Sequence, residues 1–226
     1  MKVCTDACLF GAWVAADPMI QNATTLLDIG TGTGLLSLML AQVVCVENNP
    51  AHIVAIEIND QAALQAKQNF EASPWPTHIQ LVHDNLQNFE HAPFECIVTN
   101  PPFFEGDLQS PNTAKNLAAH STALPWTILI NKVAALLKED GYYYVLIPAL
   151  RAYTMQKLAS EKGIQLVQEM IVSNAEHQNP FRVLQKYKKT NDAIKNTNRS
   201  QLIIKDASQN YTPEFISLLS PYYLHL

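Results

Sequence analysis

The stretch Thr25-Leu26-Leu27-Asp28-Ile29-Gly30-Thr31-Gly32-Thr33-Gly34-Leu35-Leu36 decides how the rest of the chain is read. Thr25 to Ile29 has the apolar, β-branched character of a buried strand, and the apolar run from about Leu35 to Val44 has the length of a buried helix. The three alternate glycines between them permit positive φ and let a ligand approach the backbone. The helix that opens after them offers unpaired N–H groups. The spacing G-x-G-x-G is not the G-x-G-x-x-G of dinucleotide sites, and no Gly-Lys-Ser/Thr follows to make a P-loop. Asp28, just before the first glycine, repels phosphate and suits a cationic or neutral ligand.

Working outward, apolar strands alternate with helical segments. His52 to Ile58 is a second strand, and a helix capped by Asp60 runs through Phe70. His78 to His83 and Phe94 to Thr99 are further strands; Trp126 to Leu137 is an apolar helix, and Tyr142 to Ile147 is a central strand. A helix over Arg151 to Lys162, strands over Ile164 to Val172 and Leu202 to Lys205, and a helix near Pro213 to Leu219 complete the series. This alternation predicts an α/β fold with a mostly parallel sheet and helices on both faces. At 226 residues with no repeat and no long linker, the chain is expected to form a single domain over 1–226.

Composition narrows the function classes. Hydrophobic residues at 48% and charged residues at 15% exclude disorder as the main state. The four cysteines (Cys4, Cys8, Cys45, Cys96) form no CxxC pair, and the seven histidines form no HExxH, so neither a disulfide framework nor a metal site is expected. Ala7 to Ala16 looks like the core of a signal peptide, but Asp6 interrupts its front and Asp17-Pro18 follows it. Ile29 to Val46 lacks charge, but its glycines leave only Leu35 to Val46 as an apolar run, too short to span a membrane. The expected compartment is the cytoplasm. A net charge of −5 rules out a uniform basic coat, yet the segment 182–205 holds seven basic residues and one acid. Its local +6 leaves −11 on the rest of the chain. Asn174 to Ser200 reads as polar connecting chain. Arg182, Lys186, Lys188 and Lys189 within it are the candidate contacts to an RNA backbone, and about five phosphate contacts from the basic residues of 182–205 would give a salt slope of about −3.5 on a single strand.

Two carboxylates extend the glycine loop into a site. Glu57 ends the second strand, where it can bind both hydroxyls of a ribose, and Asp84 follows the third, where it can accept from an adenine amine. Asn100-Pro101-Pro102-Phe103 then follows the fourth strand, at the carboxyl edge where open α/β sheets carry their sites. An exocyclic amine on an aromatic ring is a poor nucleophile because its lone pair is delocalised. Two acceptors aimed at its hydrogens, the Asn100 amide and the Pro101 carbonyl, draw the nitrogen toward tetrahedral geometry. The prolines fix the backbone that carries those acceptors. Phe103 offers a face on which a base can stack, worth roughly 1–3 kcal/mol. Such chemistry needs positioning rather than a shifted side-chain pKa.

The loop, Glu57 and Asp84 together resemble the S-adenosylmethionine site of Rossmann-like methyltransferases. More specifically, the chain resembles the bacterial tRNA (adenine-N(6))-methyltransferases acting on adenine 37 of a valine tRNA. The resemblance rests on Met1 to Asp6, Leu9 to Trp13, Asp28 to Gln42, Asn69 to Trp75, Asn100 to Phe103, Phe181-Arg182-Val183, and Gln209 to Leu224. It implies a seven-stranded Rossmann-like methyltransferase sheet. Asp28, Gly30, Gly32, Gly34, Glu57 and Asp84 would face S-adenosylmethionine, Asn100 to Phe103 the adenine, and Thr5 and Asp6 the mouth of the site. Ala119-His120 departs from the family, which has an arginine and an aromatic residue there. The Asn-Pro-Pro-aromatic turn also serves release-factor glutamine methyltransferases and ribosomal RNA guanine-N(2) methyltransferases. A module that binds S-adenosylmethionine or RNA without turnover is the reading from another class.

Overall fold

Side chains alternate between the two faces of a strand, so each buried strand here feeds two separate cores. In the computed structural model, which describes residues 5–46, 51–101 and 125–225, Leu26 of the first strand lies in one hydrophobic cluster. Its neighbours Leu27 and Ile29 lie in the other. The chain runs α1 (Thr5–Ala15), α2 (Pro18–Gln21), β1 (Thr25–Ile29), α3 (Leu35–Val44), β2 (His52–Glu57), α4 (Asp60–Glu71), β3 (Ile79–His83) and β4 (Phe94–Thr99). It continues with α5 (Trp126–Leu136), β5 (Leu137–Pro148), a 3-10 turn (Ala149–Arg151), α6 (Ala152–Ser160), β6 (Ile164–Ala175), β7 (Arg182–Lys189), β8 (Asn198–Lys205) and α7 (Pro213–Leu219). The first core packs α1, α3 and α7, with Ala66 and Phe70 of α4, on one face of the sheet. The second packs α5 and α6 on the other.

The strands form one sheet in the order β3-β2-β1-β4-β5-β7-β6-β8. β3, β2, β1, β4 and β5 are mutually parallel, and β7 is antiparallel to both β5 and β6. The α/β class and the helices on both faces are as expected, but the strand number is eight rather than seven. β8 adds a parallel edge strand beside β6. The order reverses between β1 and β4, which is where an open α/β sheet opens a crevice at its carboxyl edge.

Two local expectations are corrected. Arg182–Lys189 is a central strand rather than connecting chain: Val183, Leu184, Gln185, Lys186 and Tyr187 are all buried. Alternate positions of β7 serve the two cores, Leu184 one and Val183 and Tyr187 the other, which is a strand period written in polar and cationic residues. The cap of α4 is Asn59, whose side chain accepts from the Ala62 N–H at 3.0 Å, one residue before the Asp60 expected. The apolar run that resembles a signal peptide is α1, with every residue from Cys8 to Ala15 buried. No helix among the described residues is long and apolar enough to cross a membrane.

Candidate active site

The parallel register brings the ends of four strands to one edge. Ile29 of β1 pairs with Ile56 of β2 and Thr99 of β4, and Glu57 pairs with His83. Gly30, Glu57, Asp84 and Asn100 therefore leave the sheet side by side. The glycine loop folds back over β2, where the N–H groups of Gly30 and Thr31 both donate to the Ile56 carbonyl, at 2.9 and 3.1 Å. Thr99 donates its hydroxyl to the Ile29 carbonyl at 2.8 Å and ties the end of β4 to the end of β1.

Asp28 sits beneath the loop, 1% exposed. Its Oδ2 accepts from the Thr31 hydroxyl at 2.7 Å and the Ser37 hydroxyl at 2.6 Å. Its Oδ1 is buried with no hydrogen-bond partner among the described residues. Burial pushes the carboxyl up to about 6 from an ordinary 3.8; the Ser37 and Thr31 hydroxyls and the Ser37 N–H oppose the rise, and the Glu57 charge adds to it. An ionised carboxylate with one oxygen satisfied and the other unmet is a place for a cation.

Glu57 is held by backbone. Oε2 accepts from the Gly32 N–H at 2.8 Å, and Oε1 from the N–H groups of Ile58 at 3.0 Å and Asn59 at 2.8 Å. Three donors on four lone-pair sites leave one site on Oε2 for a hydroxyl. Asp84 is exposed beyond β3, its N–H donating to the Glu57 carbonyl at 3.1 Å.

The three glycines do different things. Gly30 (φ +71°), Gly32 (φ +61°) and Gly34 (φ +89°) all occupy the left-handed region. A Cβ at Gly30 would meet nothing within 4 Å, so this glycine borders open space. A Cβ at Gly34 would overlap the Phe70 ring, so that glycine is required by packing against α4.

The structure also identifies side chains that sequence reasoning passed over. Thr31 and Ser37 anchor the loop through Asp28, and Asn69 donates to the Thr33 carbonyl at 2.8 Å. A serine inside the otherwise apolar Leu35-Leu36-Ser37-Leu38-Met39 was the visible signal for one of them.

Asn100 and Pro101 close the site on the β4 side. The Asn100 Oδ1 is buried and has no partner among the described residues, and Pro101 is buried beside it. Pro102, Phe103 and the Ala119-His120 pair lie outside the described residues.

The four cations expected to face RNA do not form one surface. Arg182 starts β7 opposite Pro148 at the carboxyl edge, while Lys188 pairs with Tyr142 at the other end of the β5–β7 ladder. Six residues of strand, about 20 Å, separate them. Each cation meets an acid: Arg182 Nε lies 2.9 Å from Asp6, Lys186 Nζ 2.6 Å from Asp17, Lys188 2.7 Å from Asp140 and Lys189 3.0 Å from Glu139. Lys186 is 9% exposed and lies 4.6 Å from the centre of the Tyr142 ring. The +6 of this segment is thus largely compensated by acids that fold onto it. Asp6 comes to Arg182 at the carboxyl edge.

The arrangement suits a ligand with a cationic part and a ribose. A buried unmet carboxylate oxygen, a remaining acceptor site on Glu57 and open backbone at Gly30 fit S-adenosylmethionine.

Comparison with known proteins agrees. The methyltransferase small domain family matches residues 11–154. A protein of Dyadobacter fermentans named tRNA1(Val) (adenine(37)-N6)-methyltransferase is 38% identical over 99% of this chain and 91% of its own length. A protein of the same name from Bacteroides thetaiotaomicron is 36% identical over the whole of this chain and 92% of its own length. Among solved structures, a predicted O-methyltransferase from Agrobacterium tumefaciens superposes with a TM-score of 0.70 at 16% identity, covering 97% of each chain. A 16S rRNA N2 G1207 methyltransferase from T. thermophilus, in complex with AdoMet and guanosine, gives 0.57 at 22% identity over 83% of this chain and 44% of that one. These two structures share the fold.

Proposed function

The chain belongs to the tRNA1(Val) (adenine(37)-N6)-methyltransferase family and is an S-adenosylmethionine-dependent methyltransferase, and from that premise we propose that it methylates the exocyclic N6 amine of adenine 37 in a valine tRNA. The observation that carries the reading is the Asn100 Oδ1: a buried amide acceptor without a partner among the described residues, at the end of β4 beside the glycine loop. An unmet buried acceptor costs stability unless a ligand donates to it. An amine hydrogen of a planar base is such a donor.

When bound, S-adenosylmethionine supplies a methyl group already activated by its sulfonium. The chain's own residues position and polarise. Asp28 offers its unmet oxygen to the cationic end of the cofactor, Glu57 accepts from a ribose hydroxyl, and Asp84 accepts from the adenine amine of the cofactor. Gly30 and Gly32 keep the backbone low enough for contact. Asn100 Oδ1 and the Pro101 carbonyl each accept one hydrogen of the target amine, which releases its lone pair from the ring. Phe103 stacks on the target base. Because the base must be unstacked to reach Asn100, a loop substrate costs less than a duplex. A tRNA substrate places the work in the cytoplasm, where Cys8, Cys45 and Cys96 remain thiols, as they are in the structure. We read residues 1–226 as one catalytic domain.

The test uses purified protein, radiolabelled S-adenosylmethionine and total tRNA from a strain lacking the modification, followed by nucleoside analysis. N(6)-methyladenosine in valine tRNA is the expected product. Label confined to ribosomal RNA or to protein would keep the enzyme class and overturn the substrate. Asn100→Ala is expected to lower kcat by about 10²–10³ with cofactor affinity nearly unchanged. Equal losses in both would make the turn structural.

A further inference from the structure

The 3-10 turn and first turn of α6 leave two large apolar side chains in solvent, Leu150 at 88% exposure and Tyr153 at 78%. Of the large hydrophobic residues described, only Leu224 is more open. Leu150 and Tyr153 are three residues apart and fall on one side of a helical turn. Neither contributes to a core, yet both stand at the edge of the sheet that carries the reaction. β5 runs parallel to β4 with Val145 opposite Thr99, so Asn100 is level with Leu146. Pro148, where β5 ends and the turn begins, is two residues further along the neighbouring strand, roughly 8 Å from Asn100 between backbones. The turn is fixed there: the Ala149 N–H donates to the Phe181 carbonyl at 3.2 Å, joining the exit of β5 to the entrance of β7.

The sequence of this segment favours one kind of partner. From Pro148 to Ser160 the chain carries Arg151 and Lys157 and no acidic residue, within a protein whose net charge is −5. An exposed phenol ring with an aliphatic neighbour on a segment without acidic residues matches the aromatic platforms on which unpaired bases stack. We propose that Leu150 and Tyr153 form such a platform, receiving a base adjacent to the target adenine when that adenine leaves the anticodon-loop stack. Extruding the target strips its neighbours of a stacking partner, and Tyr153 replaces it. This inference rests on the RNA substrate assigned above and adds a positioning surface to it.

The experiment compares wild type, Tyr153→Phe, and the double variant Leu150→Ala/Tyr153→Ala. It reads methyl transfer to unmodified tRNA and, separately, fluorescence-anisotropy binding of an anticodon stem-loop RNA. The double variant is expected to bind the stem-loop, and to show a KM for tRNA, weaker by roughly ten- to a hundred-fold. S-adenosylmethionine affinity and Tm should be unchanged, because neither side chain is packed, and Tyr153→Phe should behave as wild type. Unchanged stem-loop binding and KM in the double variant would overturn the platform. So would a wild-type dimer in solution that the double variant loses without change in RNA affinity, which would assign the patch to a second copy of the chain. Failure of the wild type to methylate any tRNA would instead refute the substrate reading, and the stem-loop comparison would still decide the platform.

Discussion

Asp28→Asn separates the energetic cost of the site from its use. The folded-state pKa of Asp28 is about 6 against an ordinary 3.8, so keeping it ionised at pH 8 costs on the order of 3 kcal/mol. The sign follows from proton binding. Between about pH 4 and 6 the folded protein holds this proton more tightly than the unfolded chain, so stability declines as pH rises through that window and is flat above it. Asparagine removes the charge while its Oδ1 still accepts from the Thr31 and Ser37 hydroxyls. It leaves an unmet buried NH2 where an unmet oxygen stood, a penalty of about 1–3 kcal/mol. The ligand-free variant should therefore be more stable than wild type at pH 8 by up to about 2 kcal/mol, a rise of up to a few degrees in Tm. About 1.4 kcal/mol of the ionisation cost is relieved by pH 5 and about 2.4 kcal/mol by pH 4, so the advantage should be nearly gone by pH 5 and reversed by pH 4, because wild type then carries a neutral Asp28 too. Cofactor affinity should move the other way. Losing a charge-assisted contact at pH 8 should weaken S-adenosylmethionine binding by about ten- to a hundred-fold. Differential scanning fluorimetry across pH and isothermal titration calorimetry read the two effects. A variant less stable than wild type by the same amount at every pH would refute the argument that Asp28 is held ionised at a cost. Unchanged affinity would show that its unmet oxygen does not serve the cofactor.

Substituting alanine at two loop glycines should produce opposite profiles. Gly34→Ala drives a Cβ into Phe70 at a φ of +89° and should destabilise by about 2–5 kcal/mol in urea denaturation, partly rescued by Phe70→Leu. Gly30→Ala meets nothing and should cost only about 1–2 kcal/mol of stability while weakening S-adenosylmethionine measurably in the calorimeter. Lys186→Met strands Asp17 among buried neighbours and should cost about 3–5 kcal/mol, with much of it recovered in Asp17→Asn/Lys186→Met; a loss below 1 kcal/mol would mean the pair is not dry. Glutamine at Lys188 and Lys189 should leave the slope of log K against log salt for tRNA nearly unchanged, since both lie at the sheet edge opposite Asn100; a slope shallower by about two would return them to the RNA interface.

Much of this molecule is legible one residue at a time. β1, the glycine loop, α3, β4 and α7 fall within a residue or so of where periodicity, glycine spacing and the start at Pro213 place them, because those signals act over a few residues of chain. The placement of Glu57, Asp84 and Asn100 beside the loop follows from parallel strands alone, since each residue ends or follows a strand. β7 was not legible. Its Lys186 occupies a core-facing position because Asp17, 169 residues earlier, accepts from it at 2.6 Å, and Arg182 finds Asp6 across 176 residues. Read locally, those cations are a polar connection with affinity for RNA.

The sequence by itself determined the strand–glycine–helix grammar, the acidic character of the proposed cofactor site and the place of Asn100-Pro101 at the end of β4, all encoded in contiguous residues. Tertiary structure alone decided which charges are already neutralised, that Gly34 serves Phe70 while Gly30 faces open space, and that one oxygen each of Asp28 and Asn100 is buried and unmet. Backbone preference is a property of neighbours along the chain. Charge compensation and polar satisfaction depend on what folding brings together, and no local pattern records a partner more than a hundred residues away.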